Sequence, residues 1–124
     1  MENIFFNIQD LAYVGQNVRI GKTVRIRNPE KVKIYDNAII DDFVYISGKV
    51  SIGSFSHIAS NVTLSASTSS ILIGKYAGVS AGSKVFAGSS NYLSAGIDLP
   101  TFPKSIQYGT IYEDVVIGDS SLIG

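Results

Sequence analysis

The chain has no cysteine and no tryptophan, and its 124 residues include a single histidine, His57. Without cysteine there are no disulfides, no thiolate nucleophiles and no Cys-ligated zinc sites. Charge of one sign is missing too: ten basic residues balance ten acidic ones, and no stretch gathers the Lys/Arg cluster that a nucleic-acid partner requires. No apolar run approaches the ~20 residues of a membrane span. The N-terminal "MENIFFNIQD" carries an acid at its second residue and lacks the unbroken apolar core of a secretory signal. These absences predict a cytoplasmic protein with no nucleic-acid partner and no membrane insertion. The length suits one domain, 1–124, large enough to bury a core.

What the chain does have is a period. Ile34, Ile40, Ile46, Ile52, Ile58 and Leu64 fall at an unbroken spacing of six. Ile, Val and Leu supply 34 of the 124 residues, so a given run of six such hits arises by chance about 4 times in 10,000. The same spacing joins Val14, Ile20 and Ile26, then Ile73, Val79 and Val85, then Ile111, Ile117 and Ile123. Two residues before most of these stands a small or β-branched residue, such as Val32, Ala38, Val44, Ser56 or Ala77. Positions two apart share one face of a strand, so each hexad reads as a very short strand burying two side chains, followed by a turn.

Such a strand cannot satisfy its backbone or bury its apolar face alone, which points to a coil of stacked hexads. Three hexads per coil place 14, 34, 52, 73 and 111 on a first face. Positions 20, 40, 58, 79 and 117 then fall on a second, and 26, 46, 64, 85 and 123 on a third. The spacing breaks between Ile26 and Ile34, between Leu64 and Ile73, and in the long excursion 86–110. All three breaks then fall at the corner between the third and first faces, which supports an 18-residue coil. Ile4, Ile8 and Leu11 stand at helical spacing, so residues 1–12 are expected to form a short amphipathic helix capping the bottom of the prism.

The pattern in "VGQNVRIGKTVRI" resembles the hexapeptide-repeat acyltransferases, whose fold is a left-handed parallel β-helix. The stretch "NPEKVKIYDNAIIDDFVYISGKVSIGSFSHIASNVTLSAS", followed by "VFAGSSNYLSAGIDLPTFP", resembles more narrowly the branch that O-acetylates galactosides and O-antigen or capsular sugars. The resemblance covers about residues 8 to 124. It implies an all-β, left-handed helix of about five coils with one protruding loop. It also implies acetyl-CoA as co-substrate, a sugar or nucleotide-sugar acceptor of polysaccharide biosynthesis, and a homotrimer with active sites between subunits.

Within that resemblance His57, in the motif I-G-x-x-x-H-I, takes the place of the general base that removes a proton from the acceptor hydroxyl. A neutral imidazole nitrogen can accept a proton and later return it, which suits the task. Between inward Ser56 and inward Ile58, the side chain of His57 faces outward. One coil above stands Gly78, whose missing side chain is expected to leave space for an acyl group. The excursion is expected to cover the acceptor. There the resembling enzymes commonly carry two acids and this chain has Ser90 and Asn91; Ser89, Ser90, Asn91 and Tyr92 are the candidate acceptor-binding residues. Lys84 and Lys75 lie on upper coils where CoA phosphates would bind.

Asp36, Asp41 and Asp42 sit at or beside turns, where aspartate serves backbone hydrogen bonds, and no metal site is expected. The chain ends mid-repeat in "VVIGDSSLIG", whereas the resembling enzymes continue for several hexads that form much of the CoA groove. A second reading therefore stands beside the acetyltransferase: a shortened, non-catalytic β-solenoid for glycan binding or assembly.

Overall fold

The computed structural model describes residues 1–90 and 110–124. They form a left-handed parallel β-helix of four full turns, followed by two faces of a fifth. The first turn carries β1 (Tyr13–Val14), β2 (Arg19–Ile20) and β3 (Arg25–Ile26). The second begins with β4 (Val32–Ile34) and β5 (Ile39–Ile40) and runs into β6 (Tyr45–Ile52), which rounds the corner into the third. There β7 (His57–Ile58) leads to β8 (Thr63–Ile73), which rounds the next corner, and the fourth turn continues with β9 (Gly78–Val79) and β10 (Lys84–Phe86). An antiparallel ribbon, β11 (Gly88–Ser90) and β12 (Thr110–Tyr112), leaves the helix here. The last turn holds β13 (Val115–Ile117) and β14 (Leu122–Ile123).

The aliphatic hexad positions stack in register up the axis. One column runs Val14, Ile34, Ile52, Ile73, Ile117. A second runs Ile20, Ile40, Ile58, Val79, Ile123, and a third Ile26, Ile46, Leu64, Val85. Ile34, Ile46, Ile52, Ile58, Leu64 and Ile73 are fully buried, each worth about 1.5–3 kcal/mol of transfer free energy. Ser56 is the only buried polar residue among the described ones. Its Oγ donates to the Gly74 carbonyl at 2.6 Å and accepts from the Ala77 N–H at 3.3 Å, so its burial leaves nothing unpaired.

Both small breaks lie at the expected corner. The extra residues before Ile34 make a 3₁₀ turn, Pro29–Lys31. Those before Ile73 are absorbed between β6 and β8, where Ser47 pairs with Ser65 but Lys49 pairs with Ser70. The third break differs from the expected assignment. Ile111 belongs to the ribbon, opposite Ser89, so the helix resumes only at Val115. Ile117 consequently stacks on Ile73 of the first face, and Ile123 on Val79 of the second.

The N-terminal expectation is also corrected. Only Ile8–Asp10 is helical, as one 3₁₀ turn, while Leu11 is buried and Ile4 is 67% exposed. The lower edge of the first coil presents carbonyls that need donors. Asn3 Nδ2 donates to the Gly21 and Val24 carbonyls at 3.1 and 2.8 Å, and the Ile4 N–H donates to the Lys22 carbonyl. An α-helix keeps its interior N–H groups for itself and could not serve this edge so directly.

Between the first and second faces the chain turns through left-handed residues: Asn17, Asn37, Phe55, Tyr76 and Ser120 have φ near +60°. Asparagine tolerates that region, but bulky aromatic side chains occupy it at a cost. The rings of Phe55 and Tyr76 stack with centroids 5.2 Å apart, which offsets part of it. Just before this corner, successive coils touch at Gly53 and Gly74: a Cβ on Gly53 would lie 2.5 Å from the Gly74 carbonyl. Gly53→Ala is therefore expected to lower stability by about 1–3 kcal/mol, read from the urea midpoint. An unchanged midpoint would contradict the close stacking.

Candidate functional site

The outward column of the second face runs Arg19, Ile39, His57, Gly78, Leu122, in register. His57 opens β7. Its neighbours Ser56 and Ile58 are both buried, and strand alternation turns the imidazole outward, where its side chain is 55% exposed. The expected orientation and the glycine directly above it are both present.

The imidazole has a partner that its sequence position does not suggest. Asp41 follows Ile40 on the coil below, and its Oδ2 lies 2.7 Å from His57 Nε2. The other turn acids behave as expected, with the detail that each serves the backbone of a neighbouring coil. Asp36 Oδ1 accepts from the Gln16 N–H at 2.8 Å. Asp42 Oδ1 accepts from the Thr23 hydroxyl and N–H, and Asp119 Oδ1 from the Lys75 N–H. Asp41 instead holds a side chain. The signal lay in the doublet Asp41–Asp42: one acid closes the turn and its neighbour is left over.

Both partners are substantially exposed, 55% and 44%, so the pair contributes at most about 1 kcal/mol to stability. Its effect is on geometry and tautomer. A carboxylate only accepts, so Nε2 must carry the hydrogen, which leaves the lone pair of the neutral ring on Nδ1. His57 thus presents a proton acceptor on an exposed face, with a carboxylate placed to stabilise the ring once it takes a proton.

Leu122 also enters the site. With the last turn shifted by one face, it stands directly above Gly78, and its Cδ1 is 3.0 Å from where a Cβ of Gly78 would be. The side chain of Leu122 therefore leans into the space over Gly78, where the sequence suggested that it is open.

The remaining candidates are distributed. Lys84 lies on the third face, paired with Thr63, and not on the face that carries His57. Lys75 lies at the corner between the first and second faces, two residues after Ile73. Ser89 and Ser90 belong to the ribbon strand β11; Asn91 and Tyr92 fall outside the described residues. Among the described residues no three His, Cys, Asp or Glu side chains gather as metal ligands would, and no helix is long and apolar enough to cross a membrane.

The chain has no match among protein-family models or curated proteins. It is similar to solved structures of AntD, an N-acyltransferase from Bacillus cereus. A variant of AntD in complex with dTDP and coenzyme A agrees with a TM-score of 0.88 and 31% sequence identity, over 98% of this chain and 67% of that one. Another variant, in complex with dTDP-4-amino-4,6-dideoxyglucose and coenzyme A, agrees at 0.87 and 30%, over 98% and 67%. AntD in complex with dTDP and 3-hydroxybutyryl-CoA agrees at 0.86 and 30%, over 97% and 66%. A stacked hexad core and this likeness along nearly the whole chain have one common meaning: the chain belongs to the hexapeptide-repeat acyltransferase superfamily.

Proposed function

We propose that the chain transfers an acetyl group from acetyl-CoA to a hydroxyl of a sugar or nucleotide sugar, with His57 as the general base. The observation that carries this reading is the hydrogen bond between His57 Nε2 and Asp41 Oδ2 at 2.7 Å, on an exposed column beside a residue with no side chain.

The acceptor hydroxyl donates to Nδ1. As its oxygen attacks the thioester carbonyl, the proton passes to the imidazole and a new C–O bond forms. Asp41 stabilises the resulting imidazolium and keeps the ring in place. Collapse of the tetrahedral intermediate breaks the C–S bond, and the imidazolium returns the proton to the departing sulfur, giving CoA thiol and the acetyl ester. Ser89, Ser90, Asn91 and Tyr92 of the excursion bind the acceptor in this reading. Gly78 admits the acyl end of CoA. Lys84, on another face, meets CoA phosphates only as part of a neighbouring subunit, which fits a homotrimer with its sites between subunits.

A second reading has its own support. AntD is an N-acyltransferase, and one of its complexes holds a dTDP-4-amino sugar, which favours an amine in place of the hydroxyl. Thiol release from acetyl-CoA, measured with dTDP-sugars bearing a 4-hydroxyl or a 4-amino group, separates the two.

His57→Ala is expected to lower turnover on the preferred acceptor by about 10²–10⁴-fold while the far-ultraviolet dichroism of the β-helix is retained. Turnover indifferent to the change would overturn the assignment. Nitrogen-15 NMR of the neutral ring is expected to show hydrogen on Nε2. In Asp41→Ala the balance should move toward the Nδ1–H tautomer and turnover should fall. A ring already hydrogenated at Nδ1 in the unaltered protein would remove Asp41 from the mechanism.

A further inference from the structure

We infer that Leu122 sets the length of the acyl group, closing the notch beside His57 to chains longer than acetyl; this rests on the reading of His57 as the base. Below the imidazole the column is filled. Ile39 lies directly beneath, and Asp41, also on that lower coil, holds Nε2. Above it the column is empty at Gly78. The carbonyl carbon under attack must lie about 3–3.5 Å from the oxygen that His57 deprotonates, and Gly78, which contributes no side chain, marks the direction left for its alkyl part.

Leu122 stands over that direction. Adjacent strands are about 4.8 Å apart, so the Leu122 backbone lies roughly 10 Å above that of His57 along the same column. The Leu122 side chain leans back down, bringing Cδ1 to 3.0 Å from the missing Cβ of Gly78. The notch is thus floored by an imidazole, backed by glycine backbone and capped by an isobutyl group. With Cδ1 only 3.0 Å from that Cβ position, the leucine already crowds the space over Gly78, so each methylene beyond acetyl must displace it. Leu122 is 77% exposed, so its truncation removes little packing and leaves the coil intact.

The test is turnover with acetyl-, propionyl- and butyryl-CoA on the acceptor that gives thiol release, comparing the unaltered protein with Leu122→Ala. The ratio of kcat/KM for butyryl-CoA to that for acetyl-CoA is expected to rise about tenfold or more in Leu122→Ala. The control is Val116→Ala, which truncates another exposed aliphatic, on the first face of the same turn; it should leave the ratio unchanged. An unchanged ratio in Leu122→Ala, with acetyl transfer still dependent on His57, overturns this inference alone. Acetyl transfer independent of His57 overturns the base assignment as well.

Discussion

Strands of two or three residues cannot pair within their own turn, so almost every backbone hydrogen bond of the sheet runs to the coil above or below. That single constraint orders the rest of the molecule. Coils must superpose in register for the bonds to form, and superposed coils place like positions in columns. The inward columns become continuous aliphatic rods, fully buried over the middle turns. The outward columns become ladders of surface side chains, each with neighbours about 4.8 Å above and below. His57, Gly78 and Leu122 are neighbours only because of this stacking, although 65 residues separate the first from the last.

The same stacking explains how an exposed histidine acquires a fixed tautomer. A lone surface imidazole rotates freely and exchanges its proton between nitrogens. Asp41 stands 16 residues earlier in the chain and one coil lower, within reach of Nε2. The adjacent Asp42 is already engaged by Thr23. Two consecutive acids thus have different duties, one holding the coil together and the other holding the side chain that faces solvent. Ser56 completes the arrangement from inside, bonding to the Gly74 carbonyl and tying the residue before His57 to the coil that carries Gly78.

Much of this was legible in the sequence, and the parts that were not have identifiable causes. Spacing of six revealed the strands, the breaks revealed the corners, and flanking inward residues fixed the outward direction of His57. Gly78 above it followed from counting 21 residues along the repeat and its insertion. The count failed at Ile111 because an aliphatic residue in an antiparallel ribbon has the same composition as one in a hexad, and only pairing distinguishes them. That one error hid Leu122, since it moved the last turn by a face. Asp41 was hidden for another reason: its contact runs diagonally between columns, and period alone describes only vertical neighbours. At the N-terminus, helical spacing of Ile4, Ile8 and Leu11 was outweighed by the open carbonyls of the first coil, which Asn3 satisfies from a non-helical backbone.

Acyl transfer is proposed on the outward side of the second face, between His57 and Leu122. A crystal structure of the protein with coenzyme A tests it most directly. The CoA sulfur is expected beside the His57 imidazole, at Gly78, with Asp41 still bonded to Nε2. A CoA thiol bound on another face, out of reach of His57 in the chain and in any assembly it forms, would contradict it.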